Sequence, residues 1–258
     1  MKTGTCSLLA LIAWTAAAAF AGGTNETTLR TGSSDGGVTL EVAVEAGEHY
    51  RHEMRIMPLV TVKNPPQMAV WVETQDGEFL ETLFVTSRTG RQDWRRAPGD
   101  STPANRIERA EALPVWAHAR GDASLRLPTR EDPAPDAVTA ATPGEGFRLR
   151  SSVAVEERSV VVCFEVNAST DFNAAFPRDA EPGNPGYSGG EWGSGQPSLV
   201  YRGLVTMDAG RAPVTLELVG HGSPDGSDGA IHEELHGITT AATIVESVVV
   251  TVGGEPRP

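Results

Sequence analysis

The feature that most restricts what this chain can fold into is a pair of strand-like runs joined by Asp76-Gly77. They occupy Pro65 to Ser87, PPQMAVWVETQDGEFLETLFVTS. Asp and Gly both accept positive φ, the conformation a tight connection between paired strands demands, so the stretch reads as a β-hairpin. In its second run Phe79, Leu83 and Val85 fall on one side and Leu80, Phe84 and Thr86 on the other. With apolar groups on both faces, this strand is expected inside a sandwich and covered from two sides.

The rest of the chain supplies partners for that hairpin. Val38 to Glu45 alternates strictly, with Val38, Leu40, Val42 and Val44 on one face, which predicts a half-buried strand. Arg55 to Val62 leads through Asn64-Pro65-Pro66 into the hairpin. Further strands are expected at Phe147 to Val155, Ser159 to Asn167, Leu199 to Met207 and Pro213 to Val219, and a last one ends Ile238 to Val252. No helical pattern is long enough to cover a parallel sheet. The expected fold is therefore mostly β, an antiparallel sandwich with at most short helices.

Two stretches interrupt the strands and read as surface excursions, 88–146 and 168–198. In the first, Arg106 to Arg120 begins with a helical pattern that Pro114 is expected to stop, because the residue before a proline is pushed out of the α region. Pro128 to Pro143 holds four prolines and three acids and cannot be a central strand. The second is rich in glycine and proline and carries Phe172, Phe176, Tyr187 and Trp192. Residues 38–253 are read as one sandwich domain and 254–258 as a tail.

At the start, Lys2 precedes an apolar run from Leu8 to Phe20 that ends in the small-x-small triplet Ala19-Phe20-Ala21. Residues 1–21 therefore read as a secretory signal cleaved near Ala21, and 22–37 as a flexible, glycine-rich lead-in. The expected location is periplasmic or secreted, with no membrane span. Cys6 falls within the signal, which leaves Cys163 without a partner for an intramolecular disulfide. Set among the apolar residues of SVVVCFEV, it reads as a buried, inert thiol. A net charge of −13 argues against nucleic acid or anionic lipid as partners.

Three stretches are candidates for chemistry. His232 to His236, HEELH, matches the H-E-x-x-H spacing that puts two histidines on one helical turn around zinc, with Glu233 polarising water. Against it stand Gly237, which favours ending a helix, the charge of Glu234, and the lack of a third ligand. Upstream, His221, Asp225 and Asp228 lie in GHGSPDGSDG, where, with His232 and Glu233, they offer oxygens and imidazoles to a divalent ion such as zinc or calcium. The same Asp-Gly pairs are also ordinary turn chemistry. The third stretch, Asp136 to Thr142 (DAVTAAT), resembles the D-x-x-[ST]-G-A-[ST] signature at which a flavin transferase attaches FMN to exported proteins. The resemblance rests on Asp136, Thr139, Ala141 and Thr142 and implies a phosphoester at Thr142. It departs at Ala140, where the signature has glycine.

The hairpin AVWVETQDGEFLETLFV, the segment ALPVWAHARG and DAVTAATPGEG together resemble a family of predicted bacterial periplasmic proteins of unknown function. The likeness extends over Asn64 to Phe147 and more loosely over EVNASTDFN, GQPSLVYRG and LVGHG. It implies an exported, immunoglobulin-like β-sandwich and brings no activity. The leading functional expectation is a non-enzymatic binding or accessory module that contacts an envelope protein or a small ligand. Its expected contact surface is the loop set of Trp192, Tyr187, His221 and Asp225. The alternatives are a covalent FMN carrier and a zinc hydrolase.

Overall fold

The computed structural model describes residues 27–31, 37–57, 60–94, 101–103, 107–121, 127, 139–140, 142–208 and 210–253. The segment read as a signal peptide, the tail and Asp136 lie outside these. The strands in chain order are β1 (Thr27–Thr31), β2 (Val38–Ala46), β3 (His52–Met57), β4 (Val60–Asn64), β5 (Gln67–Glu73), β6 (Phe79–Thr86), β7 (Thr139–Ala140), β8 (Phe147–Val153), β9 (Ser159–Asn167), β10 (Leu199–Thr206), β11 (Val214–Thr215), β12 (Glu217–His221) and β13 (Val245–Gly253). Two short helices, α1 (Ser87–Gly90) and α2 (Pro114–Ala119), complete the frame. None of the helices among the described residues is long and apolar enough to cross a membrane.

The strands form a five-stranded sheet in the order β1-β8-β2-β13-β11, a six-stranded sheet in the order β12-β10-β9-β5-β6-β7, and the separate hairpin β3-β4. Pairing is antiparallel except for β1 with β8 and β6 with β7. Leu40, Val42 and Val44 of β2 meet Met68, Val70 and Val72 of β5 and Phe164 of β9 in one core between the two large sheets. This is the expected sandwich, and the period-2 alternation of VTLEVAVE is what turns one face of β2 inward.

The six-stranded sheet is buried on its outer face as well. There Leu113, Val115, Trp116 and Ala117 pack on Ala69, Trp71, Val85, Cys163 and Val200 in a second apolar layer. The double-sided pattern of the hairpin reflects these two layers. Its connection is as the Asp-Gly pair implied: Gly77 has φ 86°, and Thr74 N–H donates to Glu78 O at 2.8 Å.

Three local expectations are corrected. Pro114 starts α2 rather than ending a helix, and only a 3-10 turn at Ala110–Ala112 precedes it. A proline at the first helical position loses nothing, because that N–H has no intrahelical acceptor. The lead-in contains β1, whose TTLRT has little apolar pattern and is ordered by its parallel ladder to Phe147–Ser151. The run Arg55 to Val62 that leads into the hairpin falls across β3 and β4, which pair with each other. Finally, the run from Pro213 to Val219 serves both sheets: Val214 pairs with Val250 in one and Glu217 with Arg202 in the other, with Leu216 buried at the crossing.

Candidate functional site

Between β2 and β3 the chain turns at Gly47–Arg51 over one end of the sandwich. Gly47 N–H donates to Ile244 O at 2.9 Å and His49 N–H to Thr243 O at 3.0 Å, which fixes the turn on the 3-10 segment Thr240–Thr243. A side chain at Gly47 has no room, since a Cβ would lie 2.2 Å from Thr243 O. On the other side, Tyr50 is buried and its hydroxyl donates to Pro143 O at 3.1 Å, while Arg51 Nε donates to Gly144 O. Burial pushes the Tyr50 hydroxyl pKa well up, so it remains a neutral donor.

These three segments and β4 enclose an open groove of about 630 Å³. His49, Arg51, His52, Lys63, Glu145 and Thr240 line it. Lys63 is the only lysine in the sequence after Lys2, and in the groove it and Arg51 stand among three carboxylates, Glu48, Glu53 and Glu145. Lys63 Nζ lies 2.7 Å from Glu53 Oε1, and Arg51 lies 3.6 Å from Glu145 Oε1. All four side chains of these pairs are exposed, so each pair is easily exchanged for another partner.

The two imidazoles are backed by different groups. Thr243 Oγ1 donates its hydrogen to Thr240 O at 3.0 Å, so at 2.7 Å it accepts from His49 Nδ1–H. His52 Nδ1 lies 3.8 Å from Asp171 Oδ1. At that separation the imidazole lies near the carboxylate without a hydrogen bond to it. Asp171 is buried and held by Thr240 Oγ1, which donates to it at 2.7 Å, and by Gln196 Nε2 at 2.8 Å. Gln196 Oε1 in turn accepts from Thr239 N–H at 2.6 Å. His49 therefore has Nδ1 engaged by the fold and Nε2 as its remaining polar atom.

The residues singled out from the sequence lie elsewhere, with one exception. HEELH is not a helix: His232 forms an antiparallel bridge with His221, and the chain then runs irregularly to a turn at His236-Gly237. The one-turn spacing that would aim His232 and His236 at one ion is thus missing. The His221 and His232 rings stack with centroids 5.2 Å apart, His221 Nδ1 donates to Gly222 O, and His232 Nε2 lies 3.5 Å from Asp228 Oδ1. Asp225 Oδ1 accepts from Ser223 Oγ at 2.7 Å and Ser227 N–H at 3.0 Å, which is turn chemistry, and Glu233 is exposed. Among the described residues, no three His, Cys, Asp or Glu side chains are placed to hold a metal ion.

Tyr187 and Trp192 are half-buried in the 168–198 excursion, with Trp192 closing the 3-10 turn Gly190–Trp192. That loop and the His221–His232 loop meet over Glu111, which Gly189 and Gly226 both approach closely. None of these residues lines the groove. The exception is Thr142, which does not line the groove itself but lies two residues before Gly144, which does. It is half-buried and immediately precedes Pro143 and Gly144, the carbonyls tied to Tyr50 and Arg51. Thr139 belongs to the two-residue β7, paired with Val85 of β6.

Sequence reasoning missed His49, His52, Lys63 and Asp171. The available signal was the pair of histidines in EHYRHE beside the lone lysine, whereas nothing in the sequence joins either histidine to Asp171. No family model, curated protein or solved structure matches this chain.

Proposed function

We propose that this protein is an exported, non-enzymatic binding or accessory module, and that the groove at the end of its sandwich holds a small polar ligand. The export half of this reading rests on the signal-like segment 1–21. What carries the binding half is the arrangement of the groove: the His49 imidazole oriented by Thr243, the His52 imidazole beside the buried Asp171, and the exposed Arg51 and Lys63 side chains on one concave surface. Polar groups held in place on a fixed scaffold lose little freedom on binding, which is what recognition of a small ligand requires.

Native mass spectrometry of the mature protein, after incubation with a small-molecule extract of the envelope, tests the reading. A retained adduct that disappears in the double variant Arg51→Ala, Lys63→Ala supports it. An adduct pattern identical in the wild type and that variant, or none in either, overturns it.

A second reading is favoured by the placement of Thr142. FMN esterified to Thr142 would start two residues from Gly144, which lines the groove, and next to Pro143, whose carbonyl accepts from Tyr50. In that case the flavin supplies the electron chemistry and the groove supplies its setting. Co-expression with a flavin transferase decides it. A covalent mass increment with absorbance at about 450 nm, lost in Thr142→Ala, is the supporting result. An unmodified, colourless protein rejects it.

A further inference from the structure

We infer that β1 is a docking edge, at which an extended acidic segment of a partner protein adds a strand to the five-stranded sheet with its carboxylates over Arg30, Arg148 and Arg150. This surface shares no residue with the lining of the groove and does not depend on it. β1 ends the five-stranded sheet, and among the described residues no strand pairs with its far side. Alternate residues of Thr27–Thr31 therefore direct their N–H and C=O groups away from β8, which is the template an added strand uses. The other edges of the two large sheets are less open. β7 and β11 are two residues long, and β12 is closed at His221 by the bridge to His232.

Charge selects the occupant. Leu29, Leu40, Val42 and Leu149 turn toward the core, so Arg30, Glu41, Arg148 and Arg150, at the alternate positions, project from the outer face. Arg30 stands opposite Arg150, and Arg150 opposite Glu41. Glu41 takes Arg148 at 2.9 Å and Arg150 Nε at 2.7 Å, whereas Arg30 has no ion-pair partner among the described residues. Three guanidiniums thus share one carboxylate on a chain of net charge −13. Glu45, further along β2 on the same face, accepts from Ser247, and the outward neighbours Thr28, Thr39 and Ser152 are neutral. Like charges directly opposite on a sheet repel, so carboxylates placed over Arg30 and Arg150 relieve that repulsion. Same-face side chains repeat every ~7 Å along a strand, so acids at alternate residues of the segment match the spacing of Arg148 and Arg150. On the inner side, Thr31 Oγ1 and Ser151 Oγ, from residues paired in the same ladder, are buried without hydrogen-bond partners. A polar inward side chain on a strand added beside Thr31 supplies one. A second copy of this chain is the poorer occupant, because pairing two β1 edges about a twofold brings the arginines of both copies onto one face.

The test titrates short fluorescent peptides with the mature protein and follows the backbone amides of residues 27–31 in parallel. One peptide alternates threonine with glutamate and a second alternates threonine with lysine. A third is the glutamate peptide N-methylated at every second residue, which keeps its charge and removes donors needed for strand pairing. Alginate, a polyanion without amides, is the fourth probe. The expected result is saturable binding of the glutamate peptide, with shifts and slowed hydrogen exchange centred on residues 27–31, and binding at least about tenfold weaker for the other probes. Arg30→Glu, at an exposed position, should weaken the glutamate peptide about tenfold and leave the melting temperature near that of the wild type. Arg150→Gln should weaken it less, and added salt should weaken it in every variant.

Equal binding of the glutamate peptide and its N-methylated form, or of alginate, overturns strand addition and leaves an arginine patch that reads charge alone. Equal binding of the lysine and glutamate peptides overturns the charge selection. A concentration-dependent dimer that shifts the same amides assigns the edge to a second copy instead. No binding of any probe rejects the docking edge.

Discussion

The carboxylate of Glu165 accepts the backbone N–H of Trp116 at 2.8 Å, fastening α2 to the centre of the six-stranded sheet. Val115 N–H at 3.2 Å and Ser198 Oγ at 2.5 Å donate to the other oxygen. A carboxyl group that is 0% exposed thus satisfies the start of a helix that lies flat on the sheet. Gly222 packs closely on the same cluster: a Cβ there would fall 2.6 Å from Ser198 Oγ and 3.2 Å from Glu165 Oε1.

The first prediction concerns pH. Burial pushes the Glu165 carboxyl up to about 7, against the hydrogen bonds from Ser198, Trp116 and Val115 that favour the charged form. A carboxyl raised in the folded state contributes stability that is complete below its unfolded value of 4.5 and is lost as the pH rises through about 7. At ~1.4 kcal/mol per pKa unit, the loss amounts to about 3 kcal/mol. Chemical denaturation across that range should show this decline in the wild type and a flatter profile in Glu165→Gln. Equal slopes in the two proteins would reject the assignment.

The second concerns the outer apolar layer. Trp116 is wholly buried, and its Nε1–H donates to Thr82 Oγ1 at 3.0 Å. Trp116→Ala should cost about 3–5 kcal/mol in urea unfolding, the usual range for emptying an aromatic core site. A cost below about 1 kcal/mol would mean that α2 is peripheral to the stability of the fold.

The third separates two glycines. A Cβ at Gly77 meets nothing within 4 Å, but φ is 86°, so Gly77→Ala is expected to cost about 1 kcal/mol through backbone strain alone. Gly47 has ordinary φ and no space, so Gly47→Ala must push the turn off Thr243. Its effect should appear as altered amide shifts in residues 48–53, which the Gly77 variant leaves in place. Matching spectra for the two variants would contradict the described packing.

The fourth concerns HEELH. With His232 on a bridge to His221 and His236 in a turn, alanine at either position should leave metal content unchanged, and chelation should leave the melting temperature unchanged. One equivalent of zinc that survives purification and disappears in His232→Ala would show that the loop rearranges around an ion.

Much of the fold was legible because it rests on local patterns. Alternation in VTLEVAVE, the two-faced runs around Asp76-Gly77 and the unbroken SVVVCFEV each require a strand whatever surrounds them, and all three are strands. Pro114 misled because proline excludes the helical interior yet suits the first helical position, and only the sheet beneath α2 decides between the two. HEELH misled in the opposite direction. Its spacing has meaning only on a helix, and the chain there is extended by the bridge to His221.

What the sequence determined by itself is thus most of the long strands and the sandwich they build, because side-chain period and turn chemistry act between near neighbours. What only the tertiary structure decided is the groove. His49 comes from the turn after β2, His52 from the start of β3, Lys63 from β4, Thr240 from a 3-10 segment and Asp171 from the far excursion. They meet because sheet pairing and the buried Asp171–Gln196–Thr240 hydrogen bonds draw those segments together, and no spacing along the chain encodes such a meeting.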